Sequence, residues 1–131
     1  MCTSLRIELP AVPETVPSAR RAITRMCEHA GIEDELTGQI RLAVTEACTN
    51  CVLHAYEGDG GDGDTFALEA TVVDDALVVV VRDAGAGMTH AVSPRAGFGY
   101  GLRLMRQAAS SIDVTTRPGR GTCVAMRFAL R

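Results

Sequence analysis

The run Ala76-Leu-Val-Val-Val-Val81 constrains this 131-residue chain more than any other segment. Six consecutive apolar residues, rich in valine, read as a strand. The strand, residues 76–82, then opens into Asp83-Ala-Gly-Ala-Gly-Met88. One acid and two glycines at a strand end offer a carboxylate and bare backbone to a flat, polar ligand. A second strand, residues 65–73, precedes it across Asp74-Asp75, so the two read as a hairpin.

The rest of the chain fits around that hairpin. Residues 4–9 alternate, with Leu5, Ile7 and Leu9 on one face, and read as a first strand. Pro10, Pro13 and Pro17 punctuate a turn. Residues 18–30 read as a helix closed by Gly31, with Ala22, Ile23, Met26, Cys27 and Ala30 apolar. Residues 32–56 read as a longer helix whose apolar stripe is Leu36, Ile40, Ala43, Val44, Ala47, Cys51 and Ala55. After the hairpin come a loop to about Phe98, a short helix over 100–109, and strands over 111–116 and 122–130. Strands occur in runs, without strict alternation with helices. That order predicts one α+β domain over residues 1–131: a two-layer sandwich with helices on one face of a mixed, mostly antiparallel sheet.

Composition limits the function classes. Net charge is −3 with no dominant basic stripe, which argues against non-specific nucleic-acid binding. No apolar run is long enough to cross a bilayer, and the N-terminus lacks a signal-peptide core, so no membrane role and a cytoplasmic location are expected. Five cysteines without framework spacing point to reduced thiols.

Glu46, Asn50 and His54 recur every four residues, a step of only about 40° around a helix. They therefore share one edge, beside the apolar stripe. Asn50 can give a neutral oxygen to Mg²⁺, which keeps most of its waters and binds phosphate oxygens. Glu46 can hold or deprotonate a hydroxyl. The competing reading is a polar helix edge facing solvent, with His54 a structural histidine. Asp83 can accept a hydrogen bond from an exocyclic amine such as that of adenine, or it can serve a turn. Gly97-Phe98-Gly99-Tyr100-Gly101-Leu102 leads into the short helix, whose free N–H groups attract phosphate. No parallel βαβ unit surrounds it and no Lys-Ser/Thr follows, so it is neither a Rossmann fingerprint nor a Walker loop. Gly119-Arg-Gly-Thr122 is a hairpin turn whose Thr122 hydroxyl can reach a base or a bridging water. Two metal readings fail on spacing. The acidic segment from Glu57 to Asp64 lacks an EF-hand's closing Glu. Cys48-x-x-Cys51-x-x-His54 lacks a second ligand pair for zinc.

Taken in order, these motifs resemble the Bergerat-fold (GHKL) ATPases over about residues 36–128. Glu46-Ala-Cys-Thr-Asn50-Cys-Val-Leu-His54-Ala-Tyr56 resembles the N-box, and Asp83 to Met88 the first glycine box. Gly97 to Leu102 resembles the second glycine box, and Gly119 to Thr122 the last. The nearest subgroup is the bacterial anti-sigma-factor serine/threonine kinases, whose Glu-Ala-x-x-Asn-x-x-x-His-x-Tyr pattern residues 46–56 reproduce. The resemblance implies ATP and Mg²⁺ as cofactors. It implies a sigma factor and a STAS-type anti-sigma-factor antagonist as partners, regulation of transcription by partner switching, and a homodimer through the first strand and helix. It implies Glu46 as general base, Asn50 as Mg²⁺ ligand and Asp83 as adenine reader. Gly85, Gly87 and Met88 would shape the base pocket. Gly97, Phe98, Gly99, Tyr100, Gly101 and Leu102 would line the phosphates, with Thr122 near the base.

The sequence departs from that pattern at one place. Only residues 89–96 separate the first two glycine boxes, where better-known family kinases carry a longer lid over the nucleotide. A short lid excludes water less completely. A nucleotide-binding module without catalysis is therefore the alternative. A detached histidine-kinase catalytic domain is a further one, although no helical segment with a suitable phosphoacceptor His is present.

Overall fold

The computed structural model describes residues 4–57, 65–83, 107, 109–117 and 121–130, the side chains of 54–57, 116 and 117 excepted. Strand β1 (Ser4–Pro10) leads through a 3₁₀ turn (Pro13–Thr15) into helix α1 (Val16–His29), followed by helix α2 (Asp34–Glu57). Strands β2 (Thr65–Val73), β3 (Ala76–Asp83), β4 (Ser111–Arg117) and β5 (Gly121–Ala129) complete the described elements.

The five strands form one sheet in the order β1-β2-β3-β5-β4. The expected mostly antiparallel sheet is found, and every pairing among the described strands is antiparallel. The valine run of β3 is the middle strand, between β2 and β5. Its side chains alternate in environment: Leu77, Val79, Val81 and Asp83 are buried, whereas Val78 and Val80 are half-buried and Arg82 is exposed. Directly opposed residues share a face of a sheet. The row Ile7, Leu68, Val81, Val124 and Val114 therefore crosses all five strands on one side. The helices cover that side. α1 packs along α2 and β1, and α2 packs across β3 and β5. The core between the layers centres on Ile23, Ile40, Val44, Phe66, Leu68, Leu77 and Phe128, each at most 1% exposed.

Local chemistry fixes the element ends. Pro17, read from sequence as part of the turn, lies instead in the first turn of α1, where a missing N–H is not needed for the helix ladder. Gly31 closes α1 as expected. At φ 72° it turns the chain so that its N–H reaches Glu28 O (3.1 Å) and the Ile32 N–H reaches Cys27 O (3.0 Å). Those two bonds form a Schellman motif, which glycine permits at no steric cost. Ile32 and Glu33 belong to the connection, so α2 begins at Asp34, two residues after the sequence-based start. Asp34 and Glu35 then complement the positive end of its dipole. The short helix expected over 100–109 lies outside the described residues save Gln107, which is helical, and Ala109, which is not. No helix among the described residues is long and apolar enough to cross a membrane.

Candidate nucleotide-binding site

β3 runs one residue further than the sequence indicates and includes Asp83. That extra residue sets the geometry. Asp83 pairs with Thr122 at the start of β5 on one side and with Phe66 at the start of β2 on the other. Asp83 and Thr122 are 39 positions apart in sequence and become cross-strand neighbours. Both are buried, at 5% and 6% exposure. Both point to the helix side of the sheet, as the alternation with Val81 and Val124 requires. Gly121, at φ 94°, sits immediately before Thr122 in a backbone conformation that a side chain would strain.

α2 crosses above this strand end. Asn50 is buried at 4% exposure, and its Nδ2 has no hydrogen-bond partner among the described residues. Glu46, one turn earlier, is half-buried. The solvent-facing edge that the sequence allowed is therefore wrong for Asn50. Leaving a buried amide donor unpaired costs about 1–3 kcal/mol, and no described residue supplies its acceptor. By contrast, Thr45 and Thr49 on the same helix satisfy their hydroxyls on Arg41 O and Thr45 O, each at 2.7 Å. The orphaned Nδ2 is a donor and fits an acceptor such as a phosphate oxygen, on a helix that packs over the buried Asp83–Thr122 pair. Asn50 can present its carbonyl oxygen to a hard cation such as Mg²⁺.

Cys51 links the helix to the strand pair. Burial, then the neighbouring Cys48, Asp83 and Cys123, push its thiol well above the ordinary cysteine value. Burial raises Cys48 to about 12. Both thiols therefore stay protonated at neutral pH. They pack as small apolar groups in the core. Among the described residues no three His, Cys, Asp or Glu side chains converge as a metal cage, and Cys27, Cys48, Cys51 and Cys123 are free thiols.

A cavity of about 510 Å³ opens at the same end of the sheet and includes Asp83, Gly121 and Thr122 in its wall. Its other walls, among them Glu8, Ala67, Arg82 and Thr115, belong mostly to the sheet face away from the helices, and neither Glu46 nor Asn50 lines it. The candidate site is the helix-side Asp83–Thr122 pair beneath α2, not this cavity as a whole.

The structure pairs Asp83 with Thr122 across β3 and β5 and packs α2, which carries Asn50 and, one turn earlier, Glu46, over those strands. Gly85, Gly87, Met88 and the stretch from Gly97 to Leu102, expected to shape the base pocket and hold phosphates, lie outside the described residues, as does the side chain of His54. Sequence reasoning missed Phe66, which is 1% exposed and flanks Asp83 from β2. Only the strand register exposes its role as the floor beside the acid.

Comparisons with known proteins identify the domain family and the fold. Residues 9–128 match the histidine kinase-like ATPase domain. The chain is 30% identical over 129 residues to the serine-protein kinase RsbW of Bacillus pumilus, covering 88% of this chain and 80% of that one. It is 32% identical over 104 residues to the anti-sigma F factor of Caldanaerobacter subterraneus, covering 70% and 69% of the two chains. In structure it is similar to the crystallised RsbU and RsbW domains of Rv1364c from Mycobacterium tuberculosis, with a TM-score of 0.75 at 22% identity. That match covers 97% of this chain and 32% of the larger one. It also shares its fold with a chain of the SiaB–SiaC complex from Pseudomonas aeruginosa, at a TM-score of 0.66 and 13% identity. With 120 of its residues inside the matched domain, this chain belongs to the histidine kinase-like ATPase domain family.

Proposed function

We propose that this chain is an ATP-dependent serine/threonine protein kinase of the anti-sigma-factor kind. It would act in the cytoplasm by partner switching, holding a sigma factor in one nucleotide state and phosphorylating an antagonist protein. The observation that carries the reading is the buried, unpaired Asn50 amide on a helix packed over the Asp83–Thr122 strand pair. The names of the relatives support the choice of a protein hydroxyl as acceptor.

The roles follow from the chemistry of each group. Asp83 accepts a hydrogen bond from the 6-amino group of adenine, and burial makes that charge-assisted bond count. Thr122, its cross-strand neighbour, donates to a ring nitrogen or to a water bridging it. Asn50 turns its amide oxygen toward the cation that accompanies the triphosphate. Mg²⁺ held there by Asn50 would supply charge neutralisation for the phosphate oxygens. Glu46 removes the proton from the acceptor hydroxyl. As that proton leaves, the acceptor oxygen bonds to the γ-phosphorus, the bond to the bridging oxygen breaks, and ADP departs with the electron pair. The shift between partners is bounded by their differential affinity for the ATP and ADP states. A second copy would pair through β1, which lies at the sheet edge, and α1.

The short segment 89–96 favours a second reading, a nucleotide sensor that never transfers phosphate. Labelled ATP incubated with purified STAS-type antagonists of the same genome separates the two. Stable phosphoserine or phosphothreonine on an antagonist supports the kinase. ATP binding without any transfer supports the sensor, and no binding of ATP at all refutes both.

A further inference from the structure

Two large aliphatic side chains of α2 face water. Leu42 is 43% and Leu53 is 38% exposed, whereas Ile40, Val44 and Val52 on the same helix are buried. Glu46 lies four residues after Leu42 and seven before Leu53. At 100° per residue, the three fall within about 40° of one another around the helix, along roughly 16 Å of its axis. The half-buried carboxylate is thus bracketed by leucines. A lone exposed leucine has no meaning, but two on either side of a reactive group do.

The neighbouring surface is cationic. Arg41, adjacent to Leu42, joins Arg20, Arg21 and Arg25 of α1 around a groove of about 480 Å³ that also holds Thr24 and Glu28. Arg21 donates to Ser18 Oγ at 3.3 Å. None of the four guanidinium groups forms an ion pair within the described residues. Four cations in one groove of a chain with net charge −3 await anionic neighbours.

We propose that Leu42 and Leu53 form the docking face for the protein that carries the acceptor hydroxyl, with the arginine groove receiving acidic side chains of the same protein. This rests on the kinase reading above. An acceptor oxygen must come within about 3 Å of the Glu46 carboxylate. A folded protein that presents it there covers the helix for several ångströms on both sides. Leu42, about 6 Å away along the axis, and Leu53, about 10 Å away, both lie under that footprint. Apolar anchors at the centre and charges at the rim are the usual anatomy of a protein interface. The leucines therefore select the acceptor without touching the nucleotide.

The test measures steady-state phosphotransfer to the purified STAS-type antagonists of the same genome. Leu42→Asp and Leu53→Asp should each raise KM for the protein acceptor at least tenfold, leaving kcat and KM for ATP within twofold. Val73→Asp is the control: Val73 is 43% exposed but stands seven residues along β2 from Phe66, away from the site, and should change nothing. The milder double variant Leu42→Ala/Leu53→Ala, read in the same way, keeps the test valid should an aspartate unfold the chain. Wild-type KM for the acceptor in the leucine variants, or a fall in kcat alone, overturns the docking face while leaving the kinase standing. Transfer to no antagonist by the wild-type chain overturns both.

Discussion

Replacing Asn50 with leucine should make the free protein more stable and deprive it of nucleotide. The side chain is 4% exposed and its Nδ2 has no partner among the described residues. An unpaired buried amide costs about 1–3 kcal/mol. Leucine removes that cost and adds apolar contact, against which its tetrahedral Cγ and bulkier methyl groups set some overpacking strain. The net expected gain is about 1 kcal/mol or more. For a chain of this size that is roughly 4 °C in Tm. Asn50→Ala removes the amide without overpacking and brackets the effect from the other side. Magnesium ATP at a hundred times its Kd should stabilise the wild-type chain by about 2.7 kcal/mol. If loss of the cation ligand weakens binding about a hundredfold, the same concentration stabilises the variant by only about 0.4 kcal/mol. Circular-dichroism melts with and without magnesium ATP read both numbers. Should both variants melt below the wild type without nucleotide, the amide is a structural group and the reasoning fails. An undiminished shift with magnesium ATP would refute its role in binding.

Asp83→Asn should weaken ATP binding by about 1–3 kcal/mol, the range for a lost charge-assisted hydrogen bond, and Thr122→Val by less. Calorimetric titration measures both, and unchanged affinity in Asp83→Asn removes adenine from its role. Glu46→Gln should lower phosphotransfer by roughly 10²–10⁴-fold while ATP affinity stays within twofold. Rapid-quench assays with labelled ATP test this, and equal transfer rates would dismiss Glu46 as the base. At alkaline pH, Cys27 should erode stability. Burial, partly offset by a hydrogen bond with Thr37, lifts its thiol from 9.0 to about 11 in the folded chain. The unfolded chain therefore loses this proton first, so the contribution is whole below pH 9 and is lost as pH rises to 11, about 3 kcal/mol in all. All 13 Lys and Arg positions are arginine, so no lysine titrates in that window. Urea melts across pH 8–11 should show a shallower decline for Cys27→Ala, and parallel declines would exclude the thiol.

Much of the fold was legible because its signals are local. Alternation in residues 4–9, the Gly31 stop and the valine run each encode one element within a few residues. Boundaries slipped where a neighbouring group decided the matter. Pro17 entered α1 because the first helical turn has no use for its N–H, and Asp83 joined β3 because Thr122 was there to pair with it. The order of the strands was not legible. Nothing near residue 121 announces that β5 will insert between β3 and β4, since that choice is made by side chains meeting across the sheet. The site divided in the same way. Spacing placed Glu46 and Asn50 on one helix edge, but it left open whether that edge faces water. The packing of α2 on β3 and β5 answered it for Asn50. The exposure of Leu42 and Leu53 was hidden because they differ from the buried stripe by only a fraction of a turn.

The insertion of β5 beside β3 also sets an order of events. Asp83 is synthesised 39 residues before its cross-strand neighbour, and β5 emerges after every other described element. A nascent chain still holding that segment in the ribosomal tunnel has its acid but no completed sheet edge around it. The Asp83–Thr122 pair thus forms only through a long-range pairing, after β4, which lies between them in sequence, has been made.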